Sequence, residues 1–161
     1  MKKLLALAIL STVSLTEPCF GADSNKGKIS FSLSGLVLKG ENGLIIVPSI
    51  IPAIGYYLTD SIKVTVQYLE FMIGRMALGN LYYYHKIENK NITPYIHAGI
   101  GIGVADFFSY HSTILYQIGS GINFPLSSRT SIFAGFQLFG ESENSEHRWS
   151  PGLEFGINFN L

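Results

Sequence analysis

Cysteine is almost absent. The one cysteine, Cys19, lies in the first twenty residues, so a disulfide framework or a thiolate nucleophile has nothing to be built from in the remainder. Charge is scarce as well. Eleven basic residues balance eleven acidic ones and together make 14% of the chain, against about 25% in a typical soluble domain. With no basic surplus to neutralise phosphates, a nucleic-acid partner is excluded. With 47% hydrophobic residues, the chain is too apolar to match a disordered composition. Yet no apolar run of about 18 residues exists past the N-terminus, so a membrane-spanning helix is missing too. The hydrophobicity must be spent in another pattern.

The first segment is read apart from the rest. Met1-Lys2-Lys3 is a positive start, Leu4 to Val13 is an apolar run of export-signal length, and Cys19, Gly21 and Ala22 supply small residues near a cleavage point. The expectation is a signal peptide over 1–22 and a single domain over 23–161. Removing Lys2, Lys3 and Glu17 leaves nine basic and ten acidic residues.

The remainder of the chain alternates. Ile96, Ala98, Ile100, Ile102 and Val104 share one face, and His97, Gly99, Gly101 and Gly103 the other. Leu153, Phe155, Ile157, Phe159 and Leu161 oppose Gly152, Glu154, Gly156, Asn158 and Asn160. A period of two means strand. Eight strands are expected, near 28–38, 44–58, 62–72, 77–86, 93–105, 113–125, 130–140 and 150–161, with turn chemistry between them. Pro48 and Pro52 cannot donate to a ladder, so the second strand should be irregular. A bulge near Leu69 would return Glu70 to the polar face.

Which face is greasy decides the class. The non-apolar face carries Gly, Ser, Asn, Gln and Thr with few charges, which suits the interior of a narrow barrel better than a water-facing surface. Tyr56, Tyr57, Tyr82, Tyr83, Tyr84, Tyr95, Phe107, Phe108, Tyr110, Phe124 and Phe139 cluster near strand ends, as in the aromatic girdles of outer-membrane barrels. The expected fold is an all-β, eight-stranded antiparallel up-and-down transmembrane β-barrel, closed because lipid tolerates no free edge.

Three segments, Gly55-Tyr56-Tyr57-Leu58-Thr59-Asp60, Pro94-Tyr95-Ile96-His97-Ala98-Gly99-Ile100-Gly101 and Gly119-Ser120-Gly121-Ile122-Asn123-Phe124-Pro125-Leu126, carry a resemblance. In their order and spacing the chain resembles the small outer-membrane β-barrel family of opacity-protein-like surface antigens, related to OmpA/OmpX-type barrels. The final segment, with Gly156, Phe159 and Leu161, resembles the C-terminal signal read by the barrel-assembly machinery, although Leu stands where Phe is commoner. The resemblance implies an outer-membrane location in a Gram-negative-type cell, periplasmic termini, and outward loops near 39–43, 73–76, 106–112 and 141–149. It also implies lipids and the assembly machinery as partners, with a host-cell surface as a further partner for the loops.

Other motifs are weaker. Gly99-x-Gly101-x-Gly103 continues a strand and opens no helix, so it is no phosphate loop; glycines on the lumen side make room for bulky partners such as Tyr82 or Phe133. His111-Ser112 are adjacent strand residues facing opposite ways, and no third group orients them, so neither catalysis nor a cofactor is expected. The acidic run at 141–146 lacks the spacing of a calcium loop. The lumen side collects Lys63, Gln67, His97, Gln117, Gln137, Glu154 and Asn158, read as an interior hydrogen-bonded network that locks the barrel. The expected function is a structural, adhesive or antigenic surface protein. The alternatives are a narrow porin-like conduit, a lipid A-modifying barrel enzyme and a soluble periplasmic barrel.

Overall fold

The structure, a computed structural model, describes residues 24–40, 43–71, 74–87, 91–105, 111–143 and 146–161. The expected signal peptide at 1–22 lies outside them. Eight strands run in chain order: β1 (Ile29–Gly40), β2 (Gly43–Tyr57), β3 (Ile62–Phe71), β4 (Gly74–Tyr84), β5 (Thr93–Ala105), β6 (His111–Pro125), β7 (Thr130–Glu143) and β8 (Glu146–Asn160). Each pairs antiparallel with its neighbour, and β1 pairs with β8, from Ser30↔Asn160 to Leu38↔Gly152, so the barrel is closed. No strand edge is left along that seam for lipid to meet.

The alternation resolves as the composition requires. Ile54, Val66, Leu81, Ile100, Ile118, Phe136 and Phe155 are exposed on the outer wall, Ile100 at 65% and Val66 at 62%. Between them, Ala53, Thr65, Gln67, Asn80, Gln117, Gln137 and Glu154 turn inward and are buried. An apolar exterior around a polar interior is the reverse of a soluble barrel, and it needs hydrocarbon outside.

Several local expectations change. β1 and β2 pair in register up to Ser34↔Ile51 and resume at Leu36↔Val47. Residues 48–50 thus stand opposite Gly35 alone, a bulge that begins at Pro48 where the ladder lacks a donor. The bulge expected near Leu69 is not there: β3 and β4 pair without interruption from Ile62↔Tyr83 to Phe71↔Gly74, with Glu70 opposite Arg75. The polar run expected as a loop at 141–149 is largely strand, with Glu141↔Arg148 and Ser142↔His147 extending the β7–β8 ladder. Similarly, β4 starts at Gly74, inside the expected 73–76 loop. The 106–110 part of the third expected loop lies outside the described residues.

At the end that carries both termini, Leu161 N–H donates to the Ile29 carbonyl at 2.8 Å and Asn160 N–H to the Arg129 carbonyl at 2.7 Å. The chain before β1 is tied to the β2–β3 turn through one carboxylate. Asp60 Oδ1 accepts from the Ser24 hydroxyl at 2.8 Å and from the Asn25 and Lys26 amides at 2.6 and 3.1 Å. Gly27, at φ +83°, supplies the left-handed turn that carries the chain from this knot into β1.

Two outcomes test this architecture. Ile100→Lys, at mid-height of the outer wall, should cost about 2–4 kcal/mol of stability in lipid vesicles, read from urea unfolding by the fluorescence of Trp149, the chain's one tryptophan. An unaffected midpoint would turn the outer wall away from lipid. The Ser24 hydroxyl, followed by the Lys26 and Asn25 amides, holds the Asp60 carboxyl below the ordinary aspartate value. A depressed carboxyl contributes its stabilisation above its unfolded value and loses it as pH falls through the folded one. The amide resonances of Asn25 and Lys26 should therefore titrate together with a midpoint below that of free aspartate, and Asp60→Ala should abolish the transition.

Candidate functional site

All six lumen residues singled out from the sequence lie inside the barrel: Lys63, Gln67, His97, Gln117, Gln137 and Glu154 are each buried, as is Asn158. They form two groups. Towards the termini, Lys63 Nζ donates to Asn158 Oδ1 at 3.2 Å, and the Ser32 hydroxyl donates to the same oxygen at 2.8 Å. Asn158 Nδ2 donates in turn to Asn160 Oδ1 at 2.9 Å. The ammonium also sits 5.3–5.6 Å from the ring centres of Tyr57, Tyr82 and Tyr84. A desolvated cation is stabilised by such ring faces, each contributing about 0.5–2 kcal/mol.

Glu154 provides the opposite charge. It stands opposite Leu36 of β1 and Gly135 of β7, hydrogen-bonds to Ser34, and is coupled electrostatically to Lys63. Glu154 shares a small cavity, about 20 Å³, with Lys63, Thr65 and Asn158. It shares a second cavity of the same size with the other group: Gln67, Gln117 and Gln137 under Leu36, Ile51, Met76, Leu78 and Phe139. Each cavity has room for about one water molecule. Gln137 Oε1 in the second group has no hydrogen-bond partner among the described residues, and His97 belongs to neither group. Its ring packs 4.8 Å from Tyr82 and 5.9 Å from Tyr95, and its Nδ1 has no partner among the described residues.

Sequence reading placed all the strand-end tyrosines in the girdle and gave only Tyr82, as a partner of lumen glycines, a place inside as well. Tyr56, Tyr83 and Phe124 are exposed on the outer wall as girdle residues should be, but Tyr57, Tyr82 and Tyr95 are buried in the lumen. Tyr84 and Phe139 likewise line the inner cavities. The remaining girdle candidates, Phe107, Phe108 and Tyr110, lie outside the described residues. The signal for the inward tyrosines was present in the glycines facing them. A Cβ at Gly121 would stand 2.5 Å from the Tyr95 hydroxyl and 2.5 Å from the Ala134 carbonyl, and one at Gly119 would collide with His97. One at Gly156 would meet Phe133 at 2.6 Å. The glycine lane on β6, β7 and β8 is the space these rings occupy.

This closed wall, polar inside and apolar outside, has counterparts among known proteins. A family model described as surface antigen matches residues 63–149, just over half of the chain. The chain belongs to the surface antigen family. The match runs from Lys63 at the start of β3 to Trp149 in β8. No curated protein matches this surface antigen in sequence. Among solved structures, the N-terminal β-barrel domain of Pseudomonas aeruginosa OprF is 18% identical, with a TM-score of 0.62 over 85% of this chain and 100% of that one. Neisserial surface protein A is 12% identical, with a TM-score of 0.59 over 86% and 99%. A de novo designed transmembrane β-barrel is 13% identical, with a TM-score of 0.56 over 84% and 97%. At these identities the likeness is one of fold. The family match, the closed barrel and its apolar outer wall together make the surface antigen an outer-membrane β-barrel.

Removing one member of a buried charge pair leaves the other uncompensated, at about 3–5 kcal/mol. Glu154→Ala and Lys63→Ala should each lower the urea midpoint of the refolded barrel by that order. The double variant Lys63→Met with Glu154→Leu should recover most of the loss. An unchanged midpoint in Glu154→Ala would show that the charge pair does not stabilise the barrel.

Proposed function

We propose that the barrel is a rigid, non-conducting anchor that presents its loop end at the cell surface, for antigen display or for adhesion to a host cell. The lumen residues Lys63, Gln67, His97, Gln117, Gln137 and Glu154 act as its internal lock. Gly156, Phe159 and Leu161 act as the segment read during assembly.

One observation carries this reading: the lumen is filled. An eight-stranded barrel is just wide enough to be packed by its own side chains. Here Leu36, Ile51, Leu78 and Leu115 are buried towards the loop end. An apolar collar of this kind opposes an ion path, because an ion in it would lose its hydration without a polar replacement. Short turns at the termini end, Leu58–Ser61 and Leu126–Arg129, fit the periplasmic side of such barrels.

Planar-bilayer recording of the refolded protein tests the proposal. The expected result is no stable open level at any moderate voltage, with conductance appearing when the collar is thinned by Leu36→Ala and Leu78→Ala together. A steady, cation- or anion-selective open level in the unmodified protein would favour the porin-like conduit instead.

A further inference from the structure

At the termini end the lumen widens into a mouth of about 260 Å³ whose chemistry differs from the rest of the interior. Tyr57 and Tyr84 form its floor, and Thr93, Asn123, Ser131 and Asn160 are in its walls. The floor is held from behind: Lys63 Nζ lies 5.4 and 5.6 Å from the two ring centres, and the rings sit 6.1 Å apart with a 38° tilt. The wall is held too. Asn160 Oδ1 accepts from Asn158 at 2.9 Å, and the Asn160 side chain also hydrogen-bonds to Tyr57, which fixes the amide at the edge of the floor. Thr93 and Asn123 are directly paired across β5 and β6, so a hydroxyl and an amide stand side by side.

We propose that this mouth is a binding site for a single neutral sugar ring. Apart from Asp60 and Lys86, the polar residues that line it are uncharged groups that both donate and accept, which match the hydroxyls of a pyranose. Tyr57 is buried, so the half-buried Tyr84 supplies the aromatic surface for the apolar face of the ring. An anion has little to attract it: Lys86 is at the rim, but it lies in the field of Asp60. A hydrocarbon ligand would desolvate amides and hydroxyls without bonding them. The volume sets the size. Pockets for drug-sized ligands run about 300–1,000 Å³, so this one takes one ring rather than an extended chain. In a barrel with periplasmic termini, the sugar would reach the mouth from the periplasm.

The test uses the full chain refolded in detergent micelles, with N-acetylglucosamine as the probe and saturation-transfer NMR as the readout. The expected result is saturable transfer to the sugar ring, with affinity at least fivefold weaker in Asn123→Ala and unchanged in Ser112→Ala at the opposite end. Heat-modifiable mobility on an SDS gel shows that each variant is folded. If Asn123→Ala fails to fold, Thr93→Val takes its place. Absence of saturable transfer, equal transfer in the folded mouth variant, or displacement by inorganic phosphate would overturn the proposal. The last outcome would make the mouth an anion site centred on Lys86.

Discussion

Everything in this molecule depends on the need to satisfy the backbone in a medium that offers no hydrogen bonds. A strand amide facing hydrocarbon costs several kcal/mol if left unpaired, so β1 must meet β8, and it does so over nine residue pairs. Closure at eight strands then sets the interior width. The side chains are not free to choose a lumen; they are given one, and they have to fill it. The outer wall answers to the opposite demand and carries residues such as Ile100, Val66 and Leu153, which are exposed in water terms and at home in lipid.

Filling a narrow cylinder produces a size code. Large rings from one strand need an absence on the strand facing them. Tyr95 projects from β5 over Gly121 and Gly135, His97 over Gly119, and Phe133 over Gly156. The glycines therefore act as complements of aromatic residues rather than as flexible points. A soluble barrel with an inward core would use branched aliphatics for the same purpose. Here the lumen keeps polar atoms, so each charge must find compensation within it. Lys63 finds it in one amide oxygen, three ring faces and the more distant Glu154.

Strand number, order and closure were legible in the sequence because period two survives averaging over ten or more residues. The lumen positions of Lys63, Gln67 and Glu154 were legible for the same reason: a polar side chain inside an alternating segment reveals which phase faces away from lipid. The Tyr82–Tyr84 run was legible only in part, through the glycines that leave room for Tyr82, because three identical residues carry no phase of their own. It is the pairing Tyr82↔His97 that sends the middle one outward and its neighbours in. The strand ends were misread on the same physical ground. Glu141 to Arg148 is polar enough to read as a loop, but ladder hydrogen bonds continue regardless of side-chain polarity once the strands rise above the hydrocarbon. Pro48 was a reliable sign of irregularity since a missing N–H is a backbone fact, independent of what surrounds it.

The two ends of the lumen are built to different rules, and the difference has a physical direction. Towards the loops, Leu36, Ile51, Leu78 and Leu115 close the cylinder with groups that water cannot solvate. Towards the termini, serines, asparagines and tyrosines continue without a break into the open mouth. Water therefore has a polar surface to travel along from the side of the termini, and Lys63 and Glu154 lie along that surface. A barrel built solely as a membrane plug would gain more from a uniformly apolar core, since buried charges, even opposite ones, are often no better than well-packed hydrophobic residues of similar volume. The retained charges and the polar mouth share one half of the lumen, which places the chemistry of this interior on the side of the termini.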